Sequence, residues 1–357
     1  MPRRISLAAQ PSSHLTEVLV DNLRNPLPSR SLGTQGLSVS ALGLGCMGMS
    51  QDYGPADEQE SIATLRHAVD LGVTLIDTSM SYGAGGNERL VGRALGDRRD
   101  EIVLATKFGI IRENPGDPAY VSARPEDIRR YCDNSLQRLG TDRIDVYYLH
   151  RVDENVPIED SVGAMAELVK AGKVRYLGLS ETGPEEMARA CSVHPIAALQ
   201  YEWSLWWPGP ADEVVPAARK LGISLVPYSP LGRGFLTGRD LRTSDLTPDD
   251  DRHLDPRLQG EHLERNVAVL EAVREIAADM GITAAQLALA WLLAQGPDVV
   301  PIPGTTKRSR LEENVGAAHV VLEADHLARL DAVANGTAWS GDRQTFAPHR
   351  TLRTAQA

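Results

Sequence analysis

One stretch of the chain places a carboxylate and a phenol five residues apart at the end of an apolar run. Residues 72–83 read GVTLIDTSMSYG, in which the β-branched run stops at Asp77 and a glycine-bounded loop carries Tyr82. A carboxylate just past a buried strand lies at the rim of a sheet, where α/β enzymes place their chemistry. A phenol is a useful acid near neutral pH only if a cation lowers its pKa. This chemistry therefore requires a cation from elsewhere in the chain.

Lys107 and His150 end two further apolar runs, IVLATK and RIDVYYLH. If the strands are parallel and form a barrel, their carboxyl ends converge on one mouth. Lys107 is then the cation for Tyr82, and Asp77 can keep that lysine charged in a cleft of low dielectric. Tyr82 can donate a proton to a carbonyl oxygen, and His150 can hydrogen-bond the same oxygen. Because none of the four is a strong nucleophile, hydride from a cofactor fits best.

A metal site is the competing chemistry for this set. His150 and Asp153 lie three residues apart, but the sequence has no HxH motif and no second clustered histidine. The other histidines lie mostly in predicted helices, loops or tails, which is a poor pattern for metal ligands. We therefore expect no metal ion. A metal-dependent barrel hydrolase is the alternative, and the spacing of the histidines argues against it.

The composition and net charge exclude several classes of protein. The 357 residues are 42% hydrophobic and carry a net charge of −11, with a pI near 5.3. An acidic chain is a poor partner for nucleic acid or an anionic membrane, and no apolar run approaches ~18 residues. The cysteines Cys46, Cys132 and Cys191 are scattered and odd in number, which indicates reduced thiols. With no apolar leader in MPRRISLAAQPSSH, we predict a cytoplasmic protein.

Strand-like and helix-like stretches alternate through most of the chain. The strand-like runs are continuous and apolar, so both faces of the sheet are expected to be covered. They are GLGCM, VTLID, IVLATK, DVYYLH, VRYLGLS, AALQ, ISLVPYS and VVPIP. Eight such units favour a closed barrel over an open doubly wound sheet, and no GxGxxG follows the first run. The predicted fold class is α/β, a (β/α)8 TIM barrel.

The segments around this barrel are also predicted from the sequence. Residues 1–29 have weak periodicity and are predicted to be a partly disordered N-terminal extension. Residues 30–335 form the barrel, which begins with a short hairpin, and 336–357 form a C-terminal tail. Residues 238–262 form a long acidic loop after the seventh strand, and long loops are often lids. We hypothesise that this loop folds over the cofactor as a clasp.

Ordered motifs over residues 30 to about 335 make the chain resemble the aldo-keto reductase superfamily. The GLGCMGMS start and the YSPLGRGFLTG loop are similar to the microbial and plant branch of pyridoxal-reductase-like and perakine-reductase-like enzymes. The other motifs are IDTSMSYG, ATKFG, YLHRVD, GLSE, LQYEWS and IPGTTKRSRLEEN. The resemblance implies a catalytic tetrad of Asp77, Tyr82, Lys107 and His150, with Tyr82 as the acid. It implies NADPH-dependent reduction of an aldehyde or ketone to an alcohol.

The resemblance also implies where NADP(H) binds. Tyr228 matches the aromatic residue that stacks on the nicotinamide, and Ser180 and Gln200 match the groups that hold its carboxamide. Lys307 and Arg310, at a helix N-terminal turn, suit a 2′-phosphate, which favours NADPH over NADH. Arg233 and nearby backbone donors suit the pyrophosphate. The remaining predicted cofactor contacts are Gly45, Cys46, Met47, Ser229, Leu231, Gly232, Gly234, Gly304, Thr305, Thr306, Glu313 and Asn314.

One position departs from the commoner pattern of the family. Glu181 follows Ser180 where many members have asparagine. A carboxylate accepts hydrogen bonds but cannot donate one as an amide does. The resemblance therefore leaves the role of Glu181 at the carboxamide open.

The predicted partner is a small-molecule carbonyl substrate, bound by a monomer or a homo-oligomer. Candidate pocket walls are aromatic and methionine residues, namely Met47, Tyr53, Met80, Phe108, Trp203 and Trp206. Trp339 in the tail either closes this pocket or belongs to a ragged end. The alternative function is a non-catalytic, NADP-binding subunit similar to the potassium-channel β subunits, which share the barrel and the tetrad. The lack of a basic or hydrophobic docking run favours the enzyme.

Overall fold

Strands and helices alternate along the computed structural model, which describes residues 25–114, 117–239, 241, 244, 246–335 and 339–343. Its strands are β1 (Ser29–Leu32), β2 (Leu37–Ser40), β3 (Leu44–Gly45), β4 (Leu75–Asp77), β5 (Val103–Phe108), β6 (Ile110–Ile111), β7 (Tyr120–Val121), β8 (Ile144–Leu149), β9 (Val174–Ser180), β10 (Ile196–Glu202) and β11 (Ser224–Tyr228). Its helices are α1 (Glu58–Asp70), α2 (Gly86–Leu95), α3 (Pro125–Leu139), α4 (Ile158–Lys170), α5 (Pro184–Val193), α6 (Val214–Lys220), α7 (Gly260–Asp279), α8 (Ala284–Ala294), α9 (Arg308–Gly316) and α10 (Ala324–Asn335). Most of the predicted N-terminal extension and C-terminal tail lies outside the described residues.

Seven strands form one parallel sheet in the order β11-β10-β9-β8-β5-β4-β3. Residues 299–304 close the gap between its two edges. The Val300 N–H donates to the Leu225 carbonyl (2.8 Å), and the Gly43 N–H donates to the Pro301 carbonyl (3.0 Å). Because Pro301 and Pro303 have no N–H, this segment makes isolated parallel bridges and no regular ladder. The predicted (β/α)8 barrel is confirmed, with its eighth segment the most sparsely bonded.

Apolar side chains fill the inside of the barrel and a thicker layer between the barrel and its helices. The antiparallel β1–β2 hairpin closes the inside at one end, where Leu32 and Leu37 join the interior cluster. The Arg30 guanidinium fixes this hairpin by donating to the Gly296 and Val299 carbonyls. The predicted hairpin is therefore present, and it leaves the carboxyl ends of the strands as the open end of the barrel.

Local signals in the sequence account for the helix ends. The Asp57 carboxylate caps α1 by accepting from the Glu60 N–H (2.9 Å). Pro125 stands in the first turn of α3, and Gly140, in the left-handed region, ends that helix. The predicted alternation of strands and helices is present, and α10 follows the eighth strand–helix unit.

Among the described residues, each helix taken by itself is too short or too polar to span a membrane. The α7–α8 pair meets the length and composition requirement only when it is joined across an 89° bend.

Candidate active site

A cavity of about 540 Å³ opens at the carboxyl ends of the strands, a volume in the usual range of small-molecule sites. Its wall includes most of the predicted site residues. These are Gly45, Cys46, Met47, Tyr53, Asp77, Tyr82, His150, Ser180, Gln200, Tyr228, Ser229, Leu231, Arg233, Gly234, Gly304, Thr305, Thr306, Arg310, Glu313 and Asn314.

Lys107 links the predicted acid and its carboxylate. Its ammonium group donates to Asp77 Oδ1 (2.5 Å), to the Thr78 carbonyl (2.8 Å) and to the Tyr82 hydroxyl oxygen (3.2 Å). Lys107 is buried and lies behind the cavity wall, whereas Tyr82 forms part of that wall. A cation thus contacts both the carboxylate and the phenol, on the side away from any bound substrate.

Sheet register explains this arrangement. Asp77 pairs with Ala105 across β4 and β5, so Lys107 lies two residues further toward the mouth. Residues two apart on a strand face the same side, and Ala105 belongs to the cluster inside the barrel. Gln200, from β10, donates its side-chain amide to the second oxygen of Asp77. Three strands therefore fix the carboxylate.

His150 completes the group at the cavity wall. Its Nδ1 lies 3.2 Å from Ser79 Oγ, and its ring meets the Tyr82 ring edge-on with centroids 5.9 Å apart. Burial lowers the pKa of His150 well below its ordinary value, and the charges of Arg151 and Lys107 lower it further. The imidazole is therefore neutral at pH 7.

The pKa of Tyr82 differs from the expectation drawn from the sequence. Burial raises it well above its ordinary value, and the negative charge of Asp77 raises it further. Burial also raises the pKa of Asp77 and lowers that of Lys107, while the ion pair between them opposes both shifts. The phenol is therefore protonated near neutral pH, and its hydrogen-bonded ammonium neighbour does not make it acidic in this state.

Arginine side chains line one end of the cavity. Arg239, Arg252 and Arg310 are all part of the wall. Burial lowers the pKa of Arg310, and the like charges of Arg239 and Arg252 lower it further, with only Glu313 acting in the opposite direction. An anion bound there relieves this repulsion, so this end of the cavity fits the phosphates of a dinucleotide.

Two predicted cofactor cations are placed differently. The Arg233 guanidinium is buried and forms an ion pair with Asp255, with Glu202 3.5 Å away. Its charge is therefore compensated inside the protein, although the residue borders the cavity. Lys307 immediately precedes α9 and lines a separate surface depression with Glu60. Of the two residues predicted for a 2′-phosphate, only Arg310 faces the cavity.

Four of the six predicted pocket walls do not line this cavity. Phe108 follows Lys107 on β5 and so faces the opposite side of the strand, where it stacks on Tyr147 with centroids 4.9 Å apart. Trp203 is buried edge-on against Trp291. Met80 is half-buried against the outer core. Trp206, also suggested as a wall, stacks on Phe235 with centroids 4.4 Å apart. Met47 and Tyr53 are the two predicted walls that border the cavity.

The long loop after the seventh strand crosses to the loop that contains Tyr53. Tyr53 and Asp250 form an antiparallel bridge, and the Asp251 N–H donates to the Asp52 carbonyl (2.9 Å). The Arg252 guanidinium lies over the Tyr53 ring, 5.2 Å from its centroid. The two loops together form a bridge across one end of the cavity wall.

Glu181 does not extend toward the cavity. Its backbone has φ +53°, a conformation in which asparagine is far more common than glutamate. The side chain is 5% exposed, and its carboxylate accepts from the Tyr228 hydroxyl and the Glu202 N–H, each at 3.0 Å. It also forms an ion pair with Arg343. The departure from the family pattern thus creates a charged contact behind Tyr228.

The sequence reasoning missed several residues of this region. Arg151 borders the cavity and donates to the His150 carbonyl (2.6 Å) and to Ser180 Oγ (3.2 Å). Its position directly after His150 was the available signal, since every strand end points to the mouth. Arg343 had no comparable signal, because nothing local in the sequence places the C-terminal tail beside Glu181.

The metal alternative finds no support among the residues that the structure describes. No group of three His, Cys, Asp or Glu side chains there is arranged to hold a metal ion. The Asp153 carboxylate accepts from the Ala123 and Asn155 N–H groups, so it closes a turn. His150 and Asp153 are thus engaged separately.

Comparisons with known proteins agree with this geometry. Residues 41–335 match the model of the aldo/keto reductase family. The chain is 46% identical over 313 residues to the probable aldo-keto reductase 1 of Glycine max, covering 87% of this chain and 90% of that protein. It also resembles solved structures: the glycerol dehydrogenase AKR11B4 from Gluconobacter oxydans (TM-score 0.80, 28% identity, 89% of this chain and 99% of that one) and an aldo/keto reductase from Klebsiella pneumoniae in complex with NADP and acetate (TM-score 0.68, 28% identity, 88% and 98%). The protein belongs to the aldo/keto reductase family and is an NADP(H)-dependent oxidoreductase that acts on small carbonyl compounds.

Proposed function

We propose that the enzyme reduces an aldehyde or ketone to an alcohol with NADPH, and that Tyr82 is the general acid. The observation that carries this proposal is the contact of Lys107 with both Asp77 and the Tyr82 oxygen, at 2.5 and 3.2 Å, beside a cavity that His150 also lines. The relatives reported above are named as reductases or as a dehydrogenase. These names support a catalytic role over that of a potassium-channel subunit.

Bound NADPH supplies the hydride, and residues of the chain hydrogen-bond the carbonyl oxygen and give it a proton. Burial keeps Tyr82 protonated, so it can give its proton to the alkoxide as charge develops there. The ammonium of Lys107 then stabilises the phenolate that remains, because it already contacts that oxygen. His150 is neutral, and when its Nδ1 accepts from the Ser79 hydroxyl, Nε2–H can donate to the same carbonyl oxygen.

The cofactor residues follow from the cavity wall. Tyr228 offers its ring to the nicotinamide, and Ser180 with the adjacent Arg151 offers donors to the carboxamide. Gln200 is already engaged with Asp77, so it connects the carboxamide site to the tetrad. Arg310 and Arg239 offer cations to the phosphates, whereas the charge of Arg252 is already paired with Asp250. The remaining cofactor contacts predicted from the sequence line the same wall, except Gly232, which lies against the buried Trp206 ring.

The assignment of the acid is tested by Tyr82→Phe, with Tyr53→Phe as the matched control in the same cavity. Tyr82→Phe is expected to lower kcat with an aldehyde panel by roughly 10²- to 10⁴-fold, since a general acid contributes about that much. The Kd for NADPH, measured by quenching of tryptophan fluorescence, is expected to stay unchanged. Tyr53→Phe should retain turnover. Full turnover in Tyr82→Phe contradicts the assignment.

The preference for NADPH is tested by Arg310→Ala, with Lys307→Ala as the control. Only Arg310 borders the cavity, so its loss should weaken NADPH binding far more than NADH binding. Lys307→Ala should change neither Kd appreciably. Equal weakening of both cofactors by Arg310→Ala contradicts a 2′-phosphate contact.

The bridge between Asp250–Arg252 and the Tyr53 loop supports the hypothesis that the long loop is a cofactor clasp. Shortening the loop should accelerate NADPH release, followed by stopped-flow fluorescence. Unchanged release kinetics would contradict the clasp and leave the assigned acid untouched.

A further inference from the structure

The C-terminal segment 339–343 returns to the mouth of the barrel. The Ser340 N–H donates to Asn266 Oδ1 (2.7 Å), and Asn266 Nδ2 donates back to the Ser340 carbonyl (2.8 Å). Trp339 packs edge-on against Trp206 and Phe235, each with centroids 6.4 Å apart. This anchoring places Arg343 inside the protein, with only 5% of its side chain exposed.

Arg343 meets Glu181 through a two-pronged contact. One terminal nitrogen of the guanidinium donates to Glu181 Oε1 (2.8 Å), and the other donates to Oε2. Burial by itself raises the pKa of Glu181, but the charge and hydrogen bonds of Arg343, together with the charge of Arg151 and the hydrogen bond from the Glu202 N–H, outweigh burial and lower the pKa. Glu181 is therefore ionised, and Arg343 is its paired cation.

The same carboxylate holds Tyr228. The Tyr228 hydroxyl donates to Glu181 Oε1 (3.0 Å), the oxygen that also accepts from Arg343. Tyr228 borders the cavity, whereas Glu181 and Arg343 lie behind it, away from the wall. A buried charge pair thus connects the tail with the aromatic ring assigned to the nicotinamide.

We propose that Arg343 is a positioning residue that sets the balance between oxidised and reduced cofactor, by neutralising Glu181 behind Tyr228. The proposal rests on the proposed function, in which Tyr228 faces the nicotinamide. The oxidised nicotinamide carries one more positive charge than the reduced one. An uncompensated carboxylate behind Tyr228 therefore favours NADP⁺, whereas an uncompensated guanidinium favours NADPH.

Arg343 determines whether the buried charges around Glu181 are balanced. Within the described residues this buried cluster has three carboxylates and three guanidiniums, so it is balanced only with Arg343 present. Its members are Glu181, Glu202, Asp255, Arg233, Arg257 and Arg343. Arg151 is a further cation near Glu181 and reduces the size of the effect without changing its direction.

The test compares the Kd of NADP⁺ with the Kd of NADPH in four variants of the full chain. Arg343→Met should lower the ratio Kd(NADP⁺)/Kd(NADPH) by about tenfold, the scale expected for one unit charge in a partly buried site. Glu181→Gln should shift the ratio in the opposite direction. Arg343→Lys should keep it near the wild-type value because it keeps the charge. Glu181→Gln/Arg343→Met should restore it. Both constants can be measured by calorimetry at fixed ionic strength, without turnover.

The opposite signs separate this proposal from a structural role. If Arg343 only fixes the tail, Arg343→Met weakens both cofactors equally and the double variant does not restore the ratio, which overturns the proposal. If Arg343→Met does not fold, the shift in Glu181→Gln decides the matter alone, and an unchanged ratio there also overturns it. Failure of the proposed function looks different, because turnover is then absent in the wild type while the two cofactor constants are still measurable.

Discussion

Two clusters of buried charge lie at the mouth of this barrel, and burial affects their carboxylates with opposite outcomes. The tetrad cluster contains Asp77, Tyr82, Lys107 and His150. The arginine cluster contains Glu181, Glu202, Asp255, Arg233, Arg257 and Arg343. The pKa of Asp77 is raised by burial in spite of its ion pair with Lys107. In the arginine cluster, paired guanidiniums overcome burial and lower the pKa of Asp255 and of Glu181.

The difference lies in the cations that face each carboxylate. Asp77 has one ammonium, whose own pKa burial lowers. Asp255 has two guanidiniums, from Arg233 and Arg257, and the second contacts both of its oxygens. A guanidinium keeps its charge when buried and presents several donors in a fixed plane, whereas an ammonium is a single point charge that can lose its proton.

The comparison separates a cluster proposed to move protons from one that fixes charge. A proton donor needs neighbours whose protonation can change, and in the tetrad cluster burial moves the pKa values of Asp77 and Lys107 toward each other. The arginine cluster keeps Asp255 and Glu181 ionised, which suits holding loops, the tail and Tyr228 in place. Substitutions in the first cluster should therefore affect rate, and those in the second should affect stability and position.

The largest expected effect comes from Lys107→Met. It leaves Asp77 buried without its cation and removes the group that stabilises the phenolate of Tyr82. We expect kcat to fall by at least about 10²-fold and the free energy of unfolding to fall by about 3–5 kcal/mol. Steady-state kinetics and urea denaturation measure the two.

A double variant distinguishes the two losses. Asp77→Asn/Lys107→Met removes the unpaired charge, so the free energy of unfolding should recover while kcat stays low. Recovery of kcat would show that Lys107 acts on the reaction only through Asp77.

Asp255→Asn is the corresponding substitution in the arginine cluster. Arg233 and Arg257 then face Glu202 without their second carboxylate, and we expect a loss of about 3–5 kcal/mol in the free energy of unfolding. The kcat of the folded fraction should stay within a few-fold of wild type. Glu60→Gln, which breaks the exposed pair with Arg308, is the control and should hardly change stability. A loss of kcat as large as that of Lys107→Met would remove the distinction between the clusters.

A milder change tests whether the guanidinium shape matters. Arg257→Lys keeps the charge but loses the paired contacts with Asp255 and the stacking over Trp206, where the guanidinium carbon lies 4.2 Å from the ring centroid. We expect a loss of about 1–3 kcal/mol in the free energy of unfolding. A stability equal to wild type in urea denaturation would show that charge alone holds the cluster.

The two clusters also differ in how far they could be predicted from sequence. The tetrad cluster was predictable because each member ends a strand or follows one closely, and parallel strands bring their ends together. The (β/α)8 fold was predictable from eight apolar runs, including residues 299–304, whose prolines weaken the ladder. The face of each side chain was harder, and the alternation that turns Phe108 away from Lys107 was overlooked.

The arginine cluster could not be predicted, because its partners are distant along the chain. Glu181 and Arg343 are separated by 162 residues, and neither lies in a repeating pattern. The charge of Arg233 suggested an anion from outside the protein, whereas the structure pairs it with Asp255. Long-range ion pairs depend on tertiary packing that no local pattern encodes.

Acid titration of stability should show the opposite signs directly, with effects on the order of 1 kcal/mol. The folded pKa of Asp255 lies below its unfolded value of about 3.9, so its contribution is present above that pH and is lost as the pH falls through the folded pKa. The folded pKa of Asp77 is raised, so the folded state binds its proton more tightly, and its contribution to stability decreases as the pH rises above about 4.

The free energy of unfolding, measured by urea denaturation from about pH 3 to 6, should therefore fall less steeply toward acid in Asp255→Asn than in the wild type. The free energy of unfolding should fall more steeply toward acid in Asp77→Asn, because the raised pKa of Asp77 then no longer offsets the stability that Asp255 loses in acid. His150, whose lowered pKa also weakens the folded state as the pH falls below about 6.5, is common to all three proteins and cancels in the comparison. Identical slopes would mean that burial, and not the type of cation, sets the protonation of both clusters.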